Sequence, residues 1–320
     1  MQGRSVHDDE ILLRRGDFLA EGRDDHELQR GVRLGTHVRV APGAFVRTTD
    51  WEALDGRQQH VVRVRAVVSR LGPRVVVAGE SALAFHRVPV LGRWPDRVHV
   101  VDPHRGSTLS SRTLVRHAAP LDESEVTHVH GVRVLAPVRA TMDAVRRRDL
   151  RGAVVALDDA LGRGLVSRDA ARSELDGRRG LPGRRLAALA LDLADGASGS
   201  PGESLSRVGM HLEGLPRPVL QQEFRDGGGF VARVDFWWPC CGVVGEFDGA
   251  VKYLDRATRS GRTAEEVVVD EKRREDRLRA LEPVRGVARW TWRDALEVAP
   301  MIGVLRRAGL AACRHRSPWC

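Results

Sequence analysis

The stretch Val231–Tyr253, VARVDFWWPCCGVVGEFDGAVKY, limits the fold more than any other part of the chain. Phe230 to Trp237 and Val243 to Phe247 are rich in β-branched and aromatic residues. Pro239 and Gly242 between them cannot continue a ladder, so the pattern predicts two strands joined by a tight turn. Each strand carries a carboxylate in an apolar setting: Asp235 beside Val234, Phe236 and Trp237, and Glu246 between Val244, Gly245 and Phe247. An unpaired charge there is costly unless a cation or donor meets it. Two such carboxylates on neighbouring strands suggest a metal site, and strand alternation puts Asp248 on the same face as Glu246.

The flanking residues extend this pair into a domain. Ser200 can cap a helix that starts at Pro201 and reaches about Glu213, with Glu203 one turn in. Val219 to Phe224 reads as a strand and Asp226–Gly229 as a hairpin turn. Beyond the two central strands, Thr263–Glu266 is a capping box for a helix to about Leu281. Val287 to Trp292 is a last strand, followed by an amphipathic helix. The predicted order is α-β-β-β-α-β. Trp237, Trp238, Trp290 and Trp292 read as core or sheet-face residues rather than stacking platforms.

Upstream, residues 1–54 predict a small winged-helix-like module. Asp9 to Leu19 is a helix candidate, and Asp24 or Asp25 can cap a second helix to Leu34. His37–Val40 and Ala44–Val46 make a two-strand wing around Pro42-Gly43. Arg30, Arg33 and Arg39 are its candidates for DNA contact, and a merely solvated basic face is the competing reading. Residues 55–175 predict a mixed α/β domain. Val61 to Val68 alternates apolar residues with arginine, and Gly79–His86 is a buried helix. Strands are expected at Arg97–Val101, Thr113–Arg116 and Val129–Leu135, with helices at Ala140–Arg146 and Ala153–Leu161. His86 reads as packed, and His128 and His130 as a strand pair without a third ligand. Residues 176–200, rich in breakers, form a helical linker to the domain at 201–320.

Charge narrows the partners. The 320 residues carry a net charge of +9 and a pI near 10.6. That balance favours a polyanion such as DNA. Only two of the 52 basic residues are lysines, Lys252 and Lys272, and both follow the carboxylate strands. A compact ammonium can orient a water or give up a proton, which guanidinium does poorly. No apolar run is long enough to span a membrane, and MQGRSVHDDE lacks the apolar core of a signal peptide. A cytoplasmic location is therefore expected, with reduced thiols at the four cysteines.

SPGESLSRV, LPRPVLQQEF, ARVDFWWP, GVVGEFDGAVKY and EKRREDRLR together resemble the PD-(D/E)XK restriction-endonuclease-like fold, in its branch similar to very-short-patch-repair (Vsr) endonucleases. GESALAFHRVPV, VRVLAPVRATMDAV and VVALDDALGRGL, after the small winged helix, resemble AbiEi-type antitoxins. The overall expectation is an α/β (α+β) chain with a restriction-endonuclease-like C-terminal domain.

The resemblance implies Mg2+- or Mn2+-dependent hydrolysis of DNA phosphodiesters. Asp235 and Glu246 would be metal ligands, and Asp248 and Glu203 outer or second-metal carboxylates. The family's motif lysine is replaced by Asp248, so Lys252 or Lys272 would take its catalytic part. Arg273 and Arg277 are candidates for contacts to nucleic acid. In a competing reading they join Arg233 as ion-pair partners of the carboxylates. The alternative function is a non-catalytic, antitoxin-like DNA-binding transcriptional regulator. No membrane partner is expected, and a homodimer is compatible with either function.

Overall fold

The computed structural model describes residues 11–178, 180–249 and 264–310 of an α/β protein. Two compact units are present, Gln2–Arg147 with Leu165–Ala187, and Arg148–Gly164 with Ala188–Cys320.

The first unit begins with β1 (Leu13–Arg14), α1 (Arg15–Ala20), α2 (Asp25–Arg33), β2 (His37–Ala41) and β3 (Ala44–Arg47), in a sheet of order β1-β3-β2. Asp24 caps α2 by accepting from the His26 amide at 3.0 Å. Gly43, at φ 70°, turns β2 into β3. Phe18, Leu28 and Phe45 close a small core beneath these elements. The two predicted helices and the wing are therefore present. The first helix starts at Arg15 rather than Asp9, because Leu13 and Arg14 pair with Phe45 and Ala44 as a short strand. The expected start at Asp9 lies outside the described residues.

The same unit continues with α3 (Thr48–Glu52), α4 (Gly56–Val68), β4 (Val76–Val77), α5 (Gly79–His86), β5 (Val98–Asp102), β6 (Leu109–Ser110) and β7 (Leu114–Ala118). It then runs through β8 (Val126–Val129), β9 (Val132–Leu135) and α6 (Pro137–Val145), with sheet order β6-β7-β5-β4-β9-β8. Val61–Val68 has the period of a strand yet is helical. Asp55 and Gln58 form a capping box that starts α4, and both faces of the helix are buried. The predicted strand Val129–Leu135 is split into a hairpin by His130 and Gly131, at φ 47° and 77°. His86 is buried with Nε2 2.7 Å from the Leu135 carbonyl oxygen, and His128 and His130 are exposed. After α7 (Leu150–Gly162), which is part of the second unit, α8 (Arg168–Gly177) packs on α6.

The second unit has α7, the latter part of α9 (Arg184–Leu193), α10 (Pro201–Leu212), β10 (Val219–Asp226), β11 (Gly229–Trp238) and β12 (Val243–Asp248). These are followed by α11 (Ala264–Arg279), β13 (Gly286–Thr291), α12 (Trp292–Glu297) and α13 (Ala299–Arg307). From α10 to β13 the order is the predicted α-β-β-β-α-β. The sheet runs β10-β11-β12-β13, antiparallel except for the parallel β12–β13 pair. The side chains of the capping box expected at Thr263–Glu266 lie outside the described residues.

Helices cover this sheet through specific contacts. Phe236, Trp238 and Trp290 are fully buried together, and Trp290 Nε1 donates to Ser206 Oγ on α10 at 2.8 Å. A Cβ at Gly202 would come within 2.1 Å of the Phe247 ring, so α10 can approach β12 this closely only with glycine there. Trp237, Val244 and Phe224 pack with Leu278 of α11. Trp292 is the exception among the four tryptophans at 40% exposed. The helix predicted over Ala153–Leu161 as part of a middle domain joins this unit instead. There Asp158, 1% exposed in its side chain, meets Arg207 of α10 at 2.7 Å.

Cys240 is disulfide-bonded, where reduced thiols were expected throughout. No helix among the described residues is long and apolar enough to cross a membrane.

Candidate functional site

Strand register sets four side chains in one row across the second unit's sheet. Leu220 pairs with Phe236 and Gln222 with Val234, which leaves Gln221 opposite Asp235. Phe236 pairs with Gly245 as the last rung of the β11–β12 ladder, so Asp235 falls beside Glu246. Glu246 in turn pairs with Arg289 on β13. At the end of that ladder Asp235 Oδ2 accepts the Phe247 amide at 2.8 Å. A side chain here takes the place of a ladder carbonyl, and Asp235 is thereby fixed where the strands part.

Glu203 joins the row from the first turn of α10. Its Oε2 accepts from the Gly199 amide at 2.8 Å and from Gln221 Nε2 at 2.8 Å, and its Oε1 accepts from Ser200 Oγ at 2.8 Å. The same Gln221 nitrogen is 3.3 Å from Asp235 Oδ1, so one amide bridges the two carboxylates. Ser200 caps α10 in return, and part of Glu203's role is that of a capping residue. Glu203 is only 2% exposed, yet among the described residues no cation pairs with it and its donors are all neutral. A buried carboxylate without a counter-charge favours a cation nearby. A polar groove of about 330 Å3 opens onto Gln221, bounded by the loop at 196–199, Arg163 and Arg233.

Glu246 has a different setting from the one predicted. Arg274 Nη2 is 3.0 and 3.1 Å from its two oxygens and Arg289 Nη2 is 3.1 Å from one of them. Glu271 and Glu275 share the same arginines, at 2.6 Å to Arg274 and 3.0 and 3.2 Å to Arg289. Burial works against the charge of both arginines. For Arg274 the carboxylates of Glu271 and Glu246 overcome it, for Arg289 those of Glu246, Glu275 and Glu271, and both pKa values are held above the ordinary arginine range. Arg279, 2.7 Å from Glu275, completes the cluster, so three acids face three bases.

The expected ligand set of Asp235, Glu246 and Asp248 is therefore rearranged. Asp235 is drawn toward Gln221 and Glu203, while Glu246 is claimed by the arginines that β13 and α11 bring beside it. Asp248 is half-buried on β12 and pairs in register with Thr291. Among the described residues no group of three or more His, Cys, Asp and Glu side chains is arranged to hold a metal ion. The Glu203–Asp235 pair suits Mg2+ or Mn2+ nonetheless. Such ions take one or two carboxylates and complete their shells with waters and substrate phosphate oxygens.

The cationic candidates divide. Lys252 lies outside the described residues. Lys272 is exposed on α11, next to Glu271, whose side chain turns to the arginine cluster. Arg273 is exposed, 3.9 Å from Asp270. Arg277 makes two hydrogen bonds to Asp226 in the β10–β11 turn, at 3.0 and 2.7 Å, and so ties a hairpin to α11. In the first unit Arg30, Arg33 and Arg39 are exposed. Arg33 and Arg39 line a concave surface with Arg15, His26 and Gln29. Gln221, Arg274 and Arg289 are passed over in the sequence. Their one visible signal is the Glu271/Arg274 spacing of one helical turn, which many pairs in an arginine-rich chain share.

No family model matches the chain. It is 31% identical over 265 residues to "Uncharacterized protein MT2308" of Mycobacterium tuberculosis (strain CDC 1551 / Oshkosh). The same holds for "Uncharacterized protein Rv2248" of strain ATCC 25618 / H37Rv, and each match takes in 76% of this chain and 93% of the relative. A solved structure, that of the RV2827C protein from Mycobacterium tuberculosis, aligns with a TM-score of 0.38 at 15% identity, over 69% of this chain and 85% of that one.

Proposed function

We propose that this chain, which belongs to the same family as the uncharacterised Mycobacterium tuberculosis proteins MT2308 and Rv2248, is a divalent-metal-dependent DNA endonuclease with a winged-helix-like DNA-binding module. The observation that carries the proposal is the convergence of two carboxylates, Glu203 and Asp235, on the single amide nitrogen of Gln221 where β11 and β12 part. Glu203 is buried there without a cationic partner among the described residues. The α-β-β-β-α-β order around them is that of the restriction-endonuclease-like resemblance, in its Vsr-like branch. The AbiEi-like resemblance rests on segments of the first unit and on VVALDDALGRGL, most of which belongs to the second, and a cytoplasmic location belongs to the same proposal.

In this mechanism Glu203 and Asp235 would hold Mg2+ or Mn2+. A bound ion of this kind polarises the phosphoryl group and lowers the pKa of a water. The remaining work falls to the chain. The Phe247 amide fixes the Asp235 carboxylate in orientation, and the α10 cap does the same for Glu203. Arg274 and Arg289 hold Glu246 in place beside Asp235, and as partly exposed guanidiniums they suit a phosphate oxygen. Lys252 remains the candidate to orient the attacking water. Arg30, Arg33 and Arg39 would contribute phosphate contacts in the first unit.

Supercoiled plasmid tests the proposal. Purified full chain should nick or linearise it with Mg2+ or Mn2+, and EDTA or Asp235→Asn should abolish this. Salt-sensitive binding with no cleavage under either metal would instead support the alternative, a non-catalytic antitoxin-like regulator.

A further inference from the structure

Gln221 has a backbone that its sequence position does not explain. It lies inside β10 yet has φ 54°, in the left-handed region that glutamine seldom adopts. A conformation of this kind is strained and persists only where the surroundings enforce it. Here the backbone turn points the amide at Glu203 Oε2 and Asp235 Oδ1, at 2.8 and 3.3 Å, and the neighbouring rungs Leu220–Phe236 and Gln222–Val234 remain paired. A left-handed residue is thus held between two paired rungs, and its side chain ends between two acids.

Both carboxylates accept here, so the NH2 end of the amide faces them. The other end of the same group is a carbonyl oxygen, a hard ligand of the kind Mg2+ and Mn2+ take. Rotation of the terminal torsion exchanges the two ends without moving the backbone. We propose that Gln221 is a two-state ligand of the Glu203–Asp235 site. Its N–H groups bridge the carboxylates when no ion is bound, and its carbonyl oxygen becomes the third protein ligand when one is. This inference rests on the proposed metal-dependent reading and adds to it a ligand identity and an apo-state lock. Of the three polar side chains, Gln221 is the one that lines the neighbouring groove.

The test is a titration of full-length protein, stripped with chelator, with Mn2+ as the probe. Free Mn2+ is followed by electron paramagnetic resonance, and thermal midpoints are taken with and without the ion. Wild type should bind with a measurable Kd and gain stability. Gln221→Leu, which keeps the volume but neither end of the amide, should bind at least tenfold more weakly. Gln221→Glu, which replaces the donor by a third carboxylate, should melt below wild type in chelator. It should bind Mn2+ about tenfold more tightly and gain more from it in thermal midpoint. If wild type binds Mn2+ but both variants bind it equally well, the ligand role is overturned and the metal-dependent reading stands. Failure of wild type to bind Mn2+ would overturn both.

Discussion

Arg274 Nη2 lies 3.0 and 3.1 Å from the two carboxylate oxygens of Glu246, so one guanidinium nitrogen of α11 spans the side chain of the neighbouring strand. The side chains are 24% and 13% exposed, between the surface pairs that contribute almost nothing and the buried ones whose disruption costs several kcal/mol. Arg274→Ala should therefore lower unfolding free energy by about 2 kcal/mol. Adding Glu246→Gln should recover part of that loss, because the stranded charge is removed. Urea unfolding of the four proteins of this cycle measures both effects. A loss in Arg274→Ala within about 0.5 kcal/mol of zero would mean that Arg289 alone satisfies Glu246.

Acid should weaken the first unit. Burial, and then Arg63, lowers the pKa of His60 to about 4. Burial, and then Arg147, does the same for His99 and His117, which stack at 5.3 Å. All three folded values lie below the ordinary 6.5, so the unfolded chain binds more protons between pH 6.5 and about 4. Their contribution is fully present above pH 6.5 and is lost as pH falls to about 4. His60 is fully buried, and at about 1.4 kcal/mol per pH unit it should account for up to about 3 kcal/mol. Urea midpoints at pH 7.5, 6 and 5 should fall in that order, and less steeply in His60→Asn. Equal midpoints would show that these imidazoles are not held neutral.

Gly202→Ala should damage the site from outside it. The new Cβ would meet the Phe247 ring at 2.1 Å, and the Phe247 amide is the donor that fixes Asp235. Overpacking of this kind costs about 1–3 kcal/mol. Plasmid cleavage should fall with stability, and normal stability with normal cleavage would mean that α10 can shift off β12 freely.

DNA contact by the first unit has its own signature. Arg33→Ala and Arg39→Ala should each weaken duplex binding across sequences and reduce the slope of log K against log salt by about 1. Fluorescence anisotropy at several salt concentrations reads both quantities. Unchanged slopes would assign these arginines to a solvated face.

Much of the second unit was legible in the sequence because its breakers are local. Ser200-Pro201, Asp226–Gly229 and Pro239–Gly242 each fall at an element boundary, and the apolar runs between them have no alternative state. Asp235 was legible too, as a charge in an apolar strand. Val61–Val68 alternates with a strand-like period yet is helical because the Asp55/Gln58 box and two-sided burial outweigh that period. The partners of the carboxylates could not be read. Gln221 reaches them only through a left-handed backbone, and Arg274 and Arg289 are two arginines among fifty, singled out by parallel register and a helical turn. Local pattern locates a charge, and long-range pairing decides what it faces.

The most direct measurement is the single-turnover rate of Mn2+-dependent plasmid cleavage by wild type, Asp235→Asn and Glu203→Gln, with folding checked by circular dichroism. A site built on these two carboxylates should give a wild-type rate that each substitution lowers by about 100-fold or more, with the fold retained. Cleavage by either folded variant at the wild-type rate would contradict a site centred on Glu203 and Asp235.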